Sequence, residues 1–145
     1  MPGSYCNLLY HLVFSTKERA DSIPDPAELG RYLGGVAREK HIPLIIAGGT
    51  TNHVHLLIAL PASLALAKAL QDLKGNSSRW LNRNDTGFAW QEGYSAFSVS
   101  PTQKRAVILY IRNQARHHAT RSFEDELVAI LKKSEIDYDD RYIFG

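Results

Sequence analysis

The amino-acid sequence predicts an α+β protein with a ferredoxin-like fold, in which the elements follow the order strand, helix, strand, strand, helix, strand. Four short segments rich in aliphatic and aromatic residues have the composition of strands, namely residues 5–14, 41–47, 53–60 and 94–99. Two longer segments with apolar residues at helical spacing lie between them. Gly48 and Gly49 predict a tight turn, and therefore a hairpin of the second and third strands. We expect one antiparallel sheet with both helices on one face and the other face open.

The two helices of this unit have capping signals at their first residues. Asp25 can cap the first helix, and Pro26 suits its first position because proline lacks the N–H that is unpaired there. Ser63 is the expected cap of the second helix, which extends to about Asn82.

Two further helices are expected after the fourth strand. The first covers residues 102 to about 118, and the second covers residues 123–133 with Ser122 as its cap. Three acids, residues 124–126, fall in the first turn of the second helix, where the helix dipole favours negative charge. We expect the polar, aromatic tail, residues 136–145, to pack as a loop.

Size and composition predict one domain over residues 1–145. Hydrophobic residues make up 44% of the chain, which is enough for a core and argues against disorder. Cys6 is the single cysteine, so neither an intramolecular disulfide nor a cysteine-based zinc site is possible, and a reducing cytoplasm is expected. We find neither a signal peptide pattern nor an apolar run near the ~20 residues that span a membrane.

Charge is unevenly distributed along the chain, although the formal net charge is only +2. Residues 101–121 contain five basic residues and no acid, whereas residues 122–145 contain seven acids and three bases. Such asymmetry is typical of a protein whose basic part binds a polyanion, but solvated helix faces produce the same pattern.

A histidine pair on the third strand is the first candidate for chemistry. His53 and His55 are two residues apart, so on a strand their imidazoles project side by side from the same face. Two imidazoles held at a fixed separation suit one metal ion, because neutral imidazole is a common metal ligand. A histidine pair on a solvated strand face can also lack any function.

The third helix carries the second candidate group. Tyr110, Gln114, His117 and His118 recur at the spacing of one helix face, opposite an apolar stripe. A metal held by His53, His55 and the amide oxygen of Gln114 could polarise a phosphate, with Tyr110 one turn away as a nucleophile. Taken alone, however, Tyr110 is more typical of a packing residue.

These motifs resemble those of one known family. The stretch His53-Val54-His55 is similar to the His-hydrophobic-His ("HUH") motif of single-strand endonucleases. Tyr110-Ile111-Arg112-Asn113-Gln114 resembles the catalytic helix of the single-tyrosine HUH transposases of bacterial insertion sequences, a superfamily that includes the REP-associated tyrosine transposases. The resemblance covers nearly the whole chain.

The resemblance implies a transposase that cleaves and rejoins single-stranded DNA. Tyr110 would be the catalytic nucleophile and would form a 5′-phosphotyrosine, while His53, His55 and Gln114 would hold Mg²⁺ or Mn²⁺. Imidazole ligands suit Mn²⁺ better than Mg²⁺. The family also implies a homodimer whose active sites combine residues of two subunits, and a DNA-associated, cytoplasmic protein.

The implied substrate is DNA with hairpins, either at the ends of a mobile element or in host repeats. Basic residues are the candidates for binding its phosphates, with Trp80 or Tyr94 stacking on bases. The basic candidates are Lys17, Arg19, Lys74, Arg79, Arg83, Lys104, Arg105 and Arg112.

Three other functions remain open from the sequence. A non-catalytic single-stranded nucleic-acid-binding module of ferredoxin-like fold could use the open sheet face, as RNA-recognition domains do. A metal hydrolase could activate bound water and use Tyr110 only for packing. A domesticated homologue could nick host repeats by the same chemistry as a transposase. A covalent protein–DNA adduct separates the transposase from the first two.

Overall fold

The computed structural model describes residues 3–118 and 121–143, except for the side chain of His117. Its sheet has four antiparallel strands: β1 (Leu9–Ser15), β2 (Leu44–Gly49), β3 (His53–Ala59) and β4 (Ser95–Val99). The strand order is β2-β3-β1-β4. This order and the element sequence confirm the predicted ferredoxin-like fold.

Helices α1 (Pro26–Glu39) and α2 (Leu66–Leu81) cover one face of the sheet. Asp25 caps α1 as predicted, because its carboxylate accepts hydrogen bonds from the backbone N–H groups of the first turn at 3.1 and 3.2 Å. The main core between these layers is apolar and largely inaccessible to solvent. It includes Leu12, Phe14, Leu29, Leu33, Leu56, Ile58, Leu70 and Leu73.

The predicted cap of α2 is wrong. The helix begins at Leu66 with Ala65 as its N-cap, and no side chain caps it. Ser63 lies in the preceding turn, which is closed by a hydrogen bond from the Leu64 N–H to the Pro61 carbonyl. Proline fixes this turn before the helix begins, so Ser63 is too early in the chain to reach the first helical N–H groups.

The second face of the sheet is not open, contrary to the prediction. It is covered by α3 (Lys104–Arg112) and α5 (Phe123–Lys133). Val13 and Phe97 of the sheet pack against α5, and Leu57 packs against Ile111 of α3. The strands place Leu12, Leu56 and Ile58 on the first face, and the second face carries Val13, Leu57 and Phe97. The sheet therefore gains stability when helices remove both faces from water.

The long helix expected over residues 102–118 is interrupted. A short 3-10 turn, Pro101–Gln103, precedes α3, and a one-turn helix, α4 (Gln114–His117), follows it. Asn113 separates α3 from α4 with φ −98° and ψ 23°, outside the helical range. In the described part of the chain, none of the helices is both long and apolar enough to cross a membrane.

Candidate metal and nucleophile site

Strand β3 presents His53 and His55 on the covered face, where both side chains are fully buried. The Nδ1 atom of His53 lies 2.8 Å from the Asn52 side-chain oxygen and 3.0 Å from the Thr50 hydroxyl. The Nδ1 atom of His55 shares a hydrogen bond of 2.8 Å with Nε2 of His11 on β1. Both imidazoles are therefore held through Nδ1, and both Nε2 atoms face the space between the sheet and the helices. Such outer contacts orient histidine ligands of metal ions.

Helices α3 and α4 bring Tyr110 and Gln114 to this histidine pair within a single chain. The Gln114 Oε1 atom lies 3.1 Å from Nε2 of His53. The Tyr110 ring lies 5.6 Å from the His55 ring, measured between centroids. The four residues that the sequence singled out therefore share one site, although they come from two separate parts of the chain.

Glu126 on α5 is a site residue that the sequence analysis missed. Its side chain is 3% exposed, and its Oε1 atom lies 2.9 Å from Nε2 of His55 and 3.1 Å from Nε2 of His118. Its Oε2 atom accepts hydrogen bonds from the Tyr110 hydroxyl and, at 3.3 Å, from the Gln114 amide. One carboxylate thus joins the histidines to the tyrosine.

The sequence contained a signal for this role. Glu126 is three residues after Phe123 and one before Leu127, so it lies within the apolar stripe of α5. An acid in that stripe is expected to be buried and to need partners. It was assigned instead to the helix dipole together with its neighbours Glu124 and Asp125.

Burial sets the charge of the histidines. It lowers the pKa of His53 to about 3, with repulsion from His55 adding to the effect. Burial and the same neighbour lower the pKa of His11 to about 3. These imidazoles are therefore neutral at neutral pH, which is the form that binds metal.

The pKa values of Glu126 and Tyr110 shift in opposite directions. Burial alone would raise the pKa of Glu126, but hydrogen bonds from His118, His55 and Tyr110 together hold it well below its ordinary value. Burial and the contact with Glu126 raise the pKa of the Tyr110 hydroxyl above its ordinary value. The site therefore holds a carboxylate anion and a protonated tyrosine.

The donor set fits a divalent metal ion. The candidate ligand atoms of His53, His55, His118 and Glu126 all lie within 4.8 Å of one another. Ligands of one ion at ~2.1 Å are at most about 4.2 Å apart, so small side-chain movements would suffice. The Gln114 oxygen beside His53 is a further candidate ligand. The identity of the ion is not determined by these distances.

A cavity of about 690 Å³ opens beside the tyrosine. Its lining includes His11 and Tyr110, together with Phe97 of β4, Val107 of α3 and Ile130 of α5. Tyr110 is therefore accessible from outside, whereas the His53 and His55 side chains are not. This cavity provides a route by which a substrate could reach the Tyr110 side chain.

The predicted DNA-binding cations are dispersed over the surface. Lys104, Arg105 and Arg112 are exposed on α3, but none of them lines the cavity beside Tyr110. Lys17 and Arg19 line a different cavity, whose lining also includes the acids Glu18, Glu92 and Asp140. Arg19 also forms a 2.8 Å ion pair with Glu124.

Two candidates on α2 are engaged within the protein. The Lys74 ammonium donates to the carbonyls of Gln91 and Gly93 at 2.7 and 2.8 Å, so it serves the fold. Trp80 stacks on Tyr32 with ring centroids 4.5 Å apart, and Arg83 covers it at 4.3 Å. Arg79 is exposed and bonds to its own helix. Tyr94 is 41% exposed and remains a candidate for base stacking.

The fold and the site define an α+β domain with a buried histidine–carboxylate centre beside a tyrosine. The family profile described as "Transposase IS200 like" matches residues 4–114, which is most of the chain. The chain therefore belongs to the IS200-like transposase family. The matched segment contains His53, His55, Tyr110 and Gln114, and it ends before His118 and Glu126.

Individual relatives agree with this assignment. The chain is 29% identical over 79 residues to the transposases for insertion sequence element IS200 of Salmonella typhimurium and Salmonella typhi. That alignment covers 52% of this chain and 51% of each relative, so the chain matches about half the length of these curated proteins.

Two solved structures are similar in fold. A candidate transposase from Deinococcus radiodurans R1 is 25% identical, with a TM-score of 0.64 over 79% of this chain and 95% of that protein. A REP-associated tyrosine transposase bound to a REP hairpin is 13% identical, with a TM-score of 0.59 over 78% of this chain and 70% of that protein. The second comparison supports the fold alone.

Proposed function

We propose that this protein is a DNA transposase that cleaves and rejoins single-stranded DNA through a 5′-phosphotyrosine on Tyr110. The observation that carries the proposal is the meeting of the Tyr110 hydroxyl and the His53–His55 pair at one buried carboxylate beside an open cavity. Membership of the IS200-like transposase family supports the same activity.

Tyr110 attacks a phosphodiester of the bound strand. A bond forms between its oxygen and phosphorus while the bond from phosphorus to the 3′-oxygen breaks. The tyrosine loses one proton and the leaving 3′-oxygen gains one, so no net proton or energy source is consumed. A later attack by a 3′-hydroxyl on the phosphotyrosine reverses the exchange and rejoins the strand.

His53, His55 and Gln114 are the proposed ligands of a divalent ion, Mg²⁺ or Mn²⁺. When bound, such an ion supplies Lewis-acid polarisation of the scissile phosphate. Glu126 accepts the Tyr110 hydrogen bond and so fixes the direction of the hydroxyl before substrate enters. Positioning of this kind lowers the activation barrier, because the entropy of orienting the reacting groups is lost before the reaction begins.

The proposed partner is single-stranded DNA that contains a hairpin, at element ends or in host repeats. One protein of similar fold is bound to a REP hairpin, and we extend that class of ligand to this chain. Lys104, Arg105 and Arg112 lie on the helix that carries Tyr110, and we propose that they bind phosphates of the DNA.

A homodimer with composite active sites is also proposed, and it has a direct test. Tyr110 and Gln114 reach the histidine pair of their own chain, so a composite site requires exchange of α3 and α4 between subunits. A mixture of Tyr110→Phe and His53→Asn proteins rebuilds a complete site only by such exchange. Activity in the mixture, absent from either variant alone, supports the composite site.

The rival binding module is less compatible with this fold. An open sheet face is the surface that such modules use for single-stranded nucleic acid. Here α3 and α5 pack on that face, and Val13, Leu57 and Phe97 beneath them are buried. The surface available to bases is therefore the cavity beside Tyr110 and not the sheet itself.

Cleavage of defined DNA substrates tests the proposal. Wild-type protein with Mn²⁺ and a hairpin-containing single strand from the flanks of the gene should produce a cleaved strand on a denaturing gel. Tyr110→Phe should give no product while binding the same DNA. Tyr142→Phe is the matched control, because Tyr142 is 70% exposed. This variant should cleave normally. Equal cleavage of perfect duplex and single strand would instead indicate another class of nuclease.

A further inference from the structure

Three imidazoles converge on one oxygen of Glu126. The Nε2 atoms of His55 and His118 lie 2.9 and 3.1 Å from its Oε1, and Nε2 of His53 lies 3.6 Å away. His53 and His55 belong to β3, His118 follows α4, and Glu126 belongs to α5. Three separate parts of the chain therefore bring these atoms together. The four ligand atoms lie within 4.8 Å of one another, close enough for one metal ion to bind all of them after small side-chain movements.

The carboxylate at this point is a buried negative charge. Glu126 is 3% exposed, and a buried carboxylate is costly unless a cation or metal compensates it. The side chains that hydrogen-bond to it are those of His55, His118, Tyr110 and Gln114, none of which carries a permanent positive charge. A divalent cation among the three Nε2 atoms would compensate this carboxylate.

We propose that Glu126 and His118 are metal ligands, and that they complete a three-histidine, one-carboxylate centre with His53 and His55. The inference rests on the proposed function for the metal's purpose, and it adds two ligands from outside the segment that matches the family profile. Three imidazoles favour a first-row transition ion over Mg²⁺, which prefers oxygen ligands and retains its water. The centre therefore selects ions such as Mn²⁺.

The arrangement also gives Glu126 two separate contacts. Its Oε1 faces the histidines, while its Oε2 accepts the Tyr110 hydroxyl and the Gln114 amide. A carboxylate ligand that is fixed by outer hydrogen bonds is held in one orientation toward the ion. Tyr110 is thereby placed at a fixed distance from the centre.

A titration of the metal-free protein with Mn²⁺ tests the proposal without DNA. The EPR signal of free Mn²⁺ measures how much of the ion is bound. Glu126→Gln keeps the shape of the side chain but removes its charge, and His118→Asn removes one imidazole. Each should raise the Mn²⁺ Kd about tenfold or more. The wild-type Kd for Mg²⁺, measured by competition, should exceed that for Mn²⁺ by about tenfold or more.

Matched controls are available in the same chain. Glu124→Gln changes an acid two residues earlier on α5, and His41→Asn changes an exposed histidine far from the site in sequence. Both should leave the Mn²⁺ Kd unchanged. Circular dichroism in EDTA verifies that each variant is folded before titration.

A pulsed EPR measurement on Mn²⁺-loaded wild-type protein removes any dependence on the folding of the variants. It should detect three coordinated imidazole nitrogens. Two imidazoles, a wild-type Kd in Glu126→Gln, or tighter binding in that variant would each overturn the proposal. Because no DNA is present, these results are independent of the cleavage assay. If the variants bind Mn²⁺ more weakly but the wild-type protein cleaves no DNA, the proposed function is rejected and this inference stands.

Discussion

His53 and His55 are oriented by neighbours before any ligand arrives. Asn52 and Thr50 hold Nδ1 of His53, and His11 holds Nδ1 of His55. Because both rings are completely buried, they also contribute to packing: Phe123 stacks on His53 with ring centroids 4.4 Å apart. Candidate ligands of this kind are part of the core as well as part of the site.

Substitution of His53 should therefore cost stability as well as activity. A strand histidine on an open face would tolerate replacement, but His53→Asn leaves a cavity and an altered hydrogen-bond network in the core. We expect about 2 kcal/mol or more to be lost from the free energy of unfolding, measured with urea in EDTA. The exposed His41→Asn should change it by less than about 0.5 kcal/mol. Equal values for the two variants would contradict the burial of His53.

Helix α3 determines where Tyr110 lies, and its position depends on a close approach to β2. A Cβ atom at Gly48 would overlap the Ile111 carbonyl oxygen, so the strand and the helix approach more closely than any side chain permits. Tyr110, the proposed nucleophile, is the residue before Ile111. A small change at this contact is therefore transmitted directly to Tyr110.

Gly48→Ala should displace α3 from the sheet. Overpacking of this kind costs about 1–3 kcal/mol of stability, and a displacement near 1 Å at a reacting group reduces the rate about 100-fold. Gly34→Ala is the matched control, because a Cβ there meets nothing within 4 Å and alanine favours the helix. Strand cleavage and thermal unfolding measure both effects. Normal cleavage by Gly48→Ala would show that the contact does not position Tyr110.

The main elements could be predicted from the sequence because their signals are local. Alternating or continuous apolar runs predicted the four strands, and Asp25 with Pro26 predicted the start of α1. The covering of the second sheet face could not be predicted in this way, because it depends on where α3 and α5 fold back. The break at Asn113 could not be predicted either, because no glycine or proline marks it in the sequence.

The candidate site was predictable only in part, for the same reason. His53 and His55 are adjacent on one strand, and Tyr110 and Gln114 are one turn apart. Contacts between these groups span long separations: Gln114 is 61 residues from His53, and Glu126 is 71 residues from His55. The role of Glu126 depends on tertiary folding, and its position in the apolar stripe of α5 was the one local indication.

Acid should destabilise the whole molecule in the absence of metal. The pKa values of His11 and His53 are lowered to about 3 in the folded protein, against about 6.5 when unfolded. The unfolded state therefore binds more protons as pH falls from about 6.5 to 3, and stability falls with it by about 1.4 kcal/mol per pH unit for each histidine. The depressed pKa of Glu126 acts in the same direction below its ordinary value.

Urea unfolding in EDTA between pH 7 and pH 4 measures this dependence. His11→Phe keeps a ring of similar size but removes one of the two histidines whose pKa is lowered, so its stability should fall less steeply with decreasing pH than that of the wild type. Parallel curves for the two proteins would show that His11 does not titrate with a lowered pKa.

The central claim is that Tyr110 forms a covalent bond to DNA, and mass spectrometry of the adduct tests it most directly. Wild-type protein is incubated with hairpin-containing single-stranded DNA and Mn²⁺, digested with nuclease and protease, and sequenced. The predicted result is a nucleotide attached through a 5′-phosphate to Tyr110, and none in Tyr110→Phe. An adduct on Tyr94, Tyr138 or another residue, or cleavage without any adduct, would contradict the mechanism.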